Sequence, residues 1–162
     1  MPDDDLAREA EVLRTQAARD AMALEDLYAI DREFYASHIC YFAEQTAEKS
    51  VKAALAERGI QYPVKHDIGL LLGICKHEGL FEASMEVFRA AGRLSRYEAN
   101  AHYEGSLDVT TADADLCVNY CNLIADELEA HGIKSVHLDV SQPGRAAMGQ
   151  PSTEAAASAD EP

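Results

Sequence analysis

The stretch Tyr41–Leu72, YFAEQTAEKSVKAALAERGIQYPVKHDIGLLL, decides the fold of this chain. Ile39, Phe42, Ala43, Ala47, Val51 and Leu55 recur at helical spacing and predict one amphipathic helix, with Glu44, Glu48, Lys49 and Lys52 facing elsewhere. Gly59 ends that helix and Pro63 prevents its resumption. A shorter helix then opens at His66–Asp67, carries Ile68, Leu71, Leu72 and Cys75 on one face, and stops near Gly79. Asp67 or His66 supplies its cap, and the His66 imidazole is expected to hydrogen-bond a neighbouring backbone or carboxylate group. Glu48 and Lys49 are adjacent and so do not face each other, whereas Lys49 can reach Gln45 or Glu44 at helical spacing.

Outward from this pair, Leu6, Ala10, Leu13, Ala17, Ala21, Leu24 and Tyr28 lie three and four residues apart and mark a long first helix, capped by Asp3–Asp5. A fourth helix is expected to bury Phe81, Met85, Phe88 and Leu94 and to end between Tyr97 and Tyr103. Beyond Gly105, Thr110 followed three residues later by Asp113 resembles a capping box. It opens a fifth helix along Cys117, Tyr120, Cys121, Ile124 and Leu128, closed by Gly132. Ile133–Val140, IKSVHLDV, alternates like a short edge strand. From Ser141 the chain lacks large apolar residues apart from Met148 and cannot offset the entropy of ordering. Five amphipathic helices with short loops predict an all-α, antiparallel up-and-down bundle.

The 162 residues suffice for one domain with tails, and 14 basic against 29 acidic side chains give a net charge of −15. Such a charge opposes sequence-independent attraction to nucleic acid or anionic membrane, so any RNA contact has to be local. No apolar run approaches the ~18 residues of a spanning helix, and MPDDDLARE is acidic where a signal peptide is basic. The expectation is a cytoplasmic protein with no membrane association. Cys40, Cys75, Cys117 and Cys121 fall at apolar helical positions without a paired CxxC spacing and read as buried thiols. Neither a metal site nor a cofactor is expected, and Gly-rich phosphate loops, nucleophile elbows and H-E-x-x-H motifs are absent.

Local positive charge does exist. Arg89, Arg93 and Arg96 stand at i, i+4 and i+7 on the fourth helix, and the same face continues to Asn100 and Tyr103. Guanidinium groups match phosphate oxygens in bidentate fashion, so this stripe is the candidate RNA- or nucleotide-binding surface. The plain alternative is a solvated arginine face, or one paired with carboxylates of neighbouring helices.

The Tyr41–Leu72 pattern resembles the signature half of the HEPN family (higher eukaryotes and prokaryotes nucleotide-binding domain). Ala43, Gln45, Ala47, Glu48, Lys49, Lys52 and Ala53 fit its first helix motif, and His66, Asp67, Leu71 and Leu72 fit its H-D-L-x-x-L-L motif. The resemblance implies four main helices plus a short one, commonly as a homodimer, over roughly Ala18–Glu129. Residues 1–17 then extend the first helix, 18–132 form the HEPN-like domain, and 133–162 make a tail mostly disordered from 141. Ribonuclease members of the family carry an arginine, four to six intervening residues and then a histidine near the end of the fourth helix. Arg96 and His102 have five residues between them and fit that pattern as catalytic candidates.

The pair suits metal-independent RNA cleavage, with His102 moving protons and Arg96 stabilising charge on the scissile phosphate. In the family the pairs of two subunits usually converge across the dimer interface. On a straight helix, however, residues six apart point about 120° from one another. The residue after the arginine is typically small and polar in ribonuclease members, whereas this chain has Tyr97. Two functions therefore stay open: an endoribonuclease of the toxin–antitoxin type, or a non-catalytic module that partners a small nucleotidyltransferase or serves as a helical adaptor.

Overall fold

The helix at the centre, α2 (Ala36–Glu57), is rich in alanine, and small side chains let neighbouring helices approach from several directions. Ala36, Ala43, Ala47, Ala53, Ala54 and Ala56 are all buried, as are Ile39, Val51 and Leu55. The structure, a computed structural model, describes residues 2–101 and 108–141. Around α2 pack α1 (Pro2–Asp31), α3 (Ile68–His77), α4 (Met85–Ala101) and α5 (Thr111–Ala130). The described residues contain five helices and no strand.

Side-chain ties fix the directions. Between α1 and the α2 region, Arg14 pairs with Glu57, Lys49 with Asp20 at 2.5 Å, and Tyr62 donates to Glu9 at 2.7 Å. Numbers rise on one side as they fall on the other, so the two elements run antiparallel. The same holds for α4 and α5, where the Ser84 amide donates to Glu127, Arg93 to Tyr120 and Tyr97 to Asp113. The result is the antiparallel all-α bundle of four long helices and the ten-residue α3.

Helix boundaries follow local chemistry. Past the last residue of α2, the Ile60 amide donates to the Leu55 carbonyl at 2.9 Å and the Gly59 amide to Ala56 at 3.0 Å. This closure needs a left-handed residue, and Gly59 supplies it at φ 69°. Asp67 caps α3 by accepting from the Leu70 amide at 3.1 Å. At α5, Thr110 and Asp113 form the reciprocal capping box read from the sequence.

Four expectations are corrected. Because α2 is enclosed, Glu44 and Glu48, expected to face away from the apolar stripe, are themselves buried at 0% and 2% exposure. Lys49 and Lys52 stay near the surface but reach inward for partners, and Lys49 meets Asp20 of α1 instead of Gln45 or Glu44. Met85 is 70% exposed as the first residue of α4, which buries Val87, Ala90, Ala91 and Leu94 instead. Finally, α1 already begins at Pro2, which places Asp4 and Asp5 inside its first turn rather than before it.

Ile133–Val140 forms no regular secondary structure. Its anchor is Asn122 on α5, whose amide nitrogen donates to the Leu138 carbonyl at 3.0 Å while its oxygen accepts from the Leu138 amide at 2.8 Å. One side chain thus performs both hydrogen bonds that a neighbouring strand would make, and Leu138 is buried beneath it. Ser141 is exposed, and the tail from 142 onward, expected to be disordered, lies outside the described residues.

Two substitutions probe this packing. Leu71 is fully buried on α3, so Leu71→Asp places an unpaired charge in the core and abolishes cooperative thermal unfolding near the wild-type Tm. Asn122→Ala removes two hydrogen bonds at roughly 0.5–1.5 kcal/mol each. It should lower Tm modestly and accelerate proteolytic cleavage between 133 and 141, with helical circular dichroism retained.

Candidate functional site

Burial of Val87, Ala90, Ala91 and Leu94 turns the opposite side of α4 outward, and Arg89, Arg93 and Arg96 all leave the helix on this exposed side. Two of the three meet at a cleft of about 380 Å³ between α4 and α5. Arg93, Arg96 and Tyr97 form its α4 wall, Asp113, Leu116 and Tyr120 its α5 wall, and Asp108 and Val109 the approach to α5. Arg89 does not line it.

The two arginines are held differently. Arg93 donates to the Tyr120 hydroxyl at 2.7 Å, and its guanidinium carbon lies 5.6 Å from the centroid of that ring. The tyrosine thereby fixes the direction of a long, otherwise mobile cation. Arg96 is exposed at the cleft and has room to turn toward a ligand. Tyr97, half-buried between the helices, donates to Asp113 at 3.4 Å. Burial raises its phenol pKa, and the Cys117 and Cys40 thiols and Asp113 push it the same way, so Tyr97 stays neutral. Asp113 is held below the ordinary carboxylate range, chiefly by the Thr110 amide and hydroxyl, with Tyr97 adding to the effect.

Of the other residues singled out in the sequence, His102 and Tyr103 lie outside the described residues, as does the side chain of Asn100. Tyr120 was legible only as part of the apolar stripe of α5. Its hydroxyl reaches Arg93 because α5 runs antiparallel to α4, a relation carried by no motif.

A second polar cluster sits between α2 and α3. The His66 Nδ1 donates to the two Glu48 carboxylate oxygens at 3.0 and 3.2 Å, and Lys52 pairs with the same carboxylate. Desolvation by burial raises the Glu48 pKa, but hydrogen bonds from Glu44, Lys52 and His66 and the Lys52 charge outweigh it, leaving the net shift downward. Beside it, Glu44 Oε2 accepts from Gln45 at 2.8 Å. His66 thus fastens the loop ahead of α3 to the central helix, a structural role in agreement with the sequence expectation.

The four cysteines are free and buried. Burial pushes the Cys75 thiol up to about 12. Cys40 is raised by its hydrogen bond with Cys117 and by burial, and Cys121 by burial, so neither supplies a thiolate. Among the described residues no group of three or more His, Cys, Asp or Glu side chains could hold a metal ion, and no helix is long and apolar enough to cross a membrane.

The fourth and fifth helices of the bundle thus enclose a tyrosine-lined cleft that carries two arginines and two aspartates. The HEPN domain family model matches residues 10–131, and the chain belongs to that family. The crystal structure of ST0689, an archaeal HEPN homologue, is similar with a TM-score of 0.60 and 26% sequence identity, over 77% of this chain and 98% of that one. No curated protein matches the chain.

The folded pKa values of Glu48 and Asp113 lie below the ordinary 4.5 and 3.8, so their stabilisation is complete above those values and is lost as pH falls through the folded ones. Thermal unfolding followed by circular dichroism should give a level Tm down to about pH 5 and a falling one below. Glu48→Gln lowers Tm at pH 7, because Lys52 and His66 lose a buried anionic partner, and makes the acid-induced fall shallower. A variant with the wild-type profile would show that Glu48 contributes no linkage.

Proposed function

We propose that this HEPN protein binds RNA by its phosphate in the α4–α5 cleft and cleaves it without a metal, as the endoribonuclease of a toxin–antitoxin-type system. The observation that supports this reading is the cleft itself, where exposed Arg96 stands beside Arg93, already aligned by Tyr120, on an otherwise acidic molecule. Arg96 holds the scissile phosphate and offsets the charge that grows on its oxygens. His102 follows α4 in sequence and serves as general acid–base. In this scheme the ribose 2′-oxygen loses its proton and attacks phosphorus. The bond to the 5′-oxygen breaks and that oxygen takes up a proton, giving a 2′,3′-cyclic phosphate and a 5′-hydroxyl. The reading includes a homodimer in which the Arg96–His102 sets of two subunits converge, and cytoplasmic residence.

One observation favours a second reading. Tyr97 occupies the position next to Arg96 and is drawn into the packing between α4 and α5 through Asp113. A bulky, half-buried residue there suits a non-catalytic module whose arginines face a partner such as a small nucleotidyltransferase.

Incubating a mixed RNA pool with the purified protein in EDTA separates the two. The ribonuclease reading expects products with cyclic-phosphate ends, reduced at least a hundredfold by His102→Ala or Arg96→Ala. Full cleavage by either variant removes that residue from the mechanism. Absence of cleavage by a folded dimer transfers the arginines to the partner-binding role.

A further inference from the structure

We infer that the α4–α5 cleft is a one-nucleotide subsite selective for guanine, with Arg93 and Arg96 on the phosphate, Leu116 and Tyr120 against the base, and Asp108 reading its edge. This inference rests on the reading of the cleft as a phosphate site and adds to it the identity of the nucleotide.

Size sets the first limit. A volume of about 380 Å³ lies at the low end of small-ligand sites, which run from about 300 to 1,000 Å³. It admits one splayed-out nucleotide and excludes a duplex. Single-stranded RNA is recognised in this way, by bases removed from the stack, laid on a side-chain surface and read along their Watson–Crick edges.

The charge arrangement gives the nucleotide a direction. Both cations stand on the α4 wall, and the carboxylates stand on the α5 wall and its approach. A phosphate is therefore drawn toward α4 and repelled from the side of Asp108, which sends the base toward α5. Leu116 and Tyr120, one helical turn apart, present a shared face there. Leu116 is 45% exposed despite being apolar, so a base lying on it removes apolar surface from water.

The two carboxylates are not equivalent. Asp113 has its Oδ2 committed to the Thr110 amide and hydroxyl, each at 2.9 Å, and its Oδ1 to Tyr97. Asp108 is exposed at the same cleft and is the carboxylate placed to meet a ligand. An ionised carboxylate only accepts hydrogen bonds. The guanine edge offers two adjacent donors, N1–H and the 2-amino group, and matches both oxygens. Adenine and cytosine set a ring-nitrogen lone pair beside their single amino donor, and uracil flanks its one N–H with carbonyls, so each of these turns a lone pair toward the anion. Selectivity thus arises as much from repulsion of the wrong bases as from attraction of the right one.

Isothermal titration of the full chain with 5′-GMP, AMP, CMP and UMP tests the assignment, circular dichroism confirming that each variant is folded. GMP should bind about tenfold more tightly than the other three. Asp108→Asn should weaken GMP, tighten AMP and so remove the preference between them, whereas Arg96→Ala should weaken all four alike. Equal binding of the four nucleotides, or an Asp108→Asn variant that keeps its preference for GMP, overturns guanine selection while the phosphate site stands. Absence of binding by any nucleotide, or indifference to Arg96→Ala, overturns the phosphate reading and this inference with it.

Discussion

The enclosure of α2 is the constraint on which the rest of the structure depends. A helix covered by four neighbours leaves little solvent-exposed surface along its middle turns, yet α2 carries Glu44, Glu48, Lys49 and Lys52 there. Each has to find a partner inside the protein or at its edge. Glu48 takes Lys52 and His66, Lys49 takes Asp20, and Glu44 accepts from Gln45. Losing one member of a buried pair typically costs about 3–5 kcal/mol, because the other is left charged in a poor solvent. The polar residues of the central helix therefore determine where α1 and the loop before α3 must lie.

The cleft follows from the same enclosure, one helix further out. Because α2 and α5 take up the apolar side of α4, its arginines project away from the core. The antiparallel course of α5 then brings Tyr120 opposite Arg93 and Asp113 opposite Tyr97. The capping box at Thr110 has two consequences: it starts α5, and it commits Asp113, which would otherwise offer a second carboxylate to the cleft. Helix initiation and the electrostatics of the site are thus joined in one side chain.

Much of the fold was legible because the signals were local. The apolar stripes, Gly59, Asp67 and the Thr110–Asp113 box each act within a few residues, and each appears where its spacing places it. The errors share one origin. Met85 reads as a core residue, and Glu44 and Glu48 only as facing away from the apolar stripe, because periodicity identifies the apolar side of a helix but cannot count the neighbours around it. The anchoring of Ile133–Val140 escaped for a similar reason, since Asn122 lies sixteen residues from Leu138 and nothing in its surroundings marks it as a substitute for a strand.

The sequence by itself determined the HEPN family, the five helices and the arginine stripe, since these rest on residue types at fixed short intervals along one chain. Only the tertiary structure decided which arginines share a cleft, which carboxylate there is already engaged, and that the acidic residues of α2 lie inside the protein. Those outcomes depend on what a second helix places opposite each residue, and the distance between two helices in space is not written in their separation along the chain.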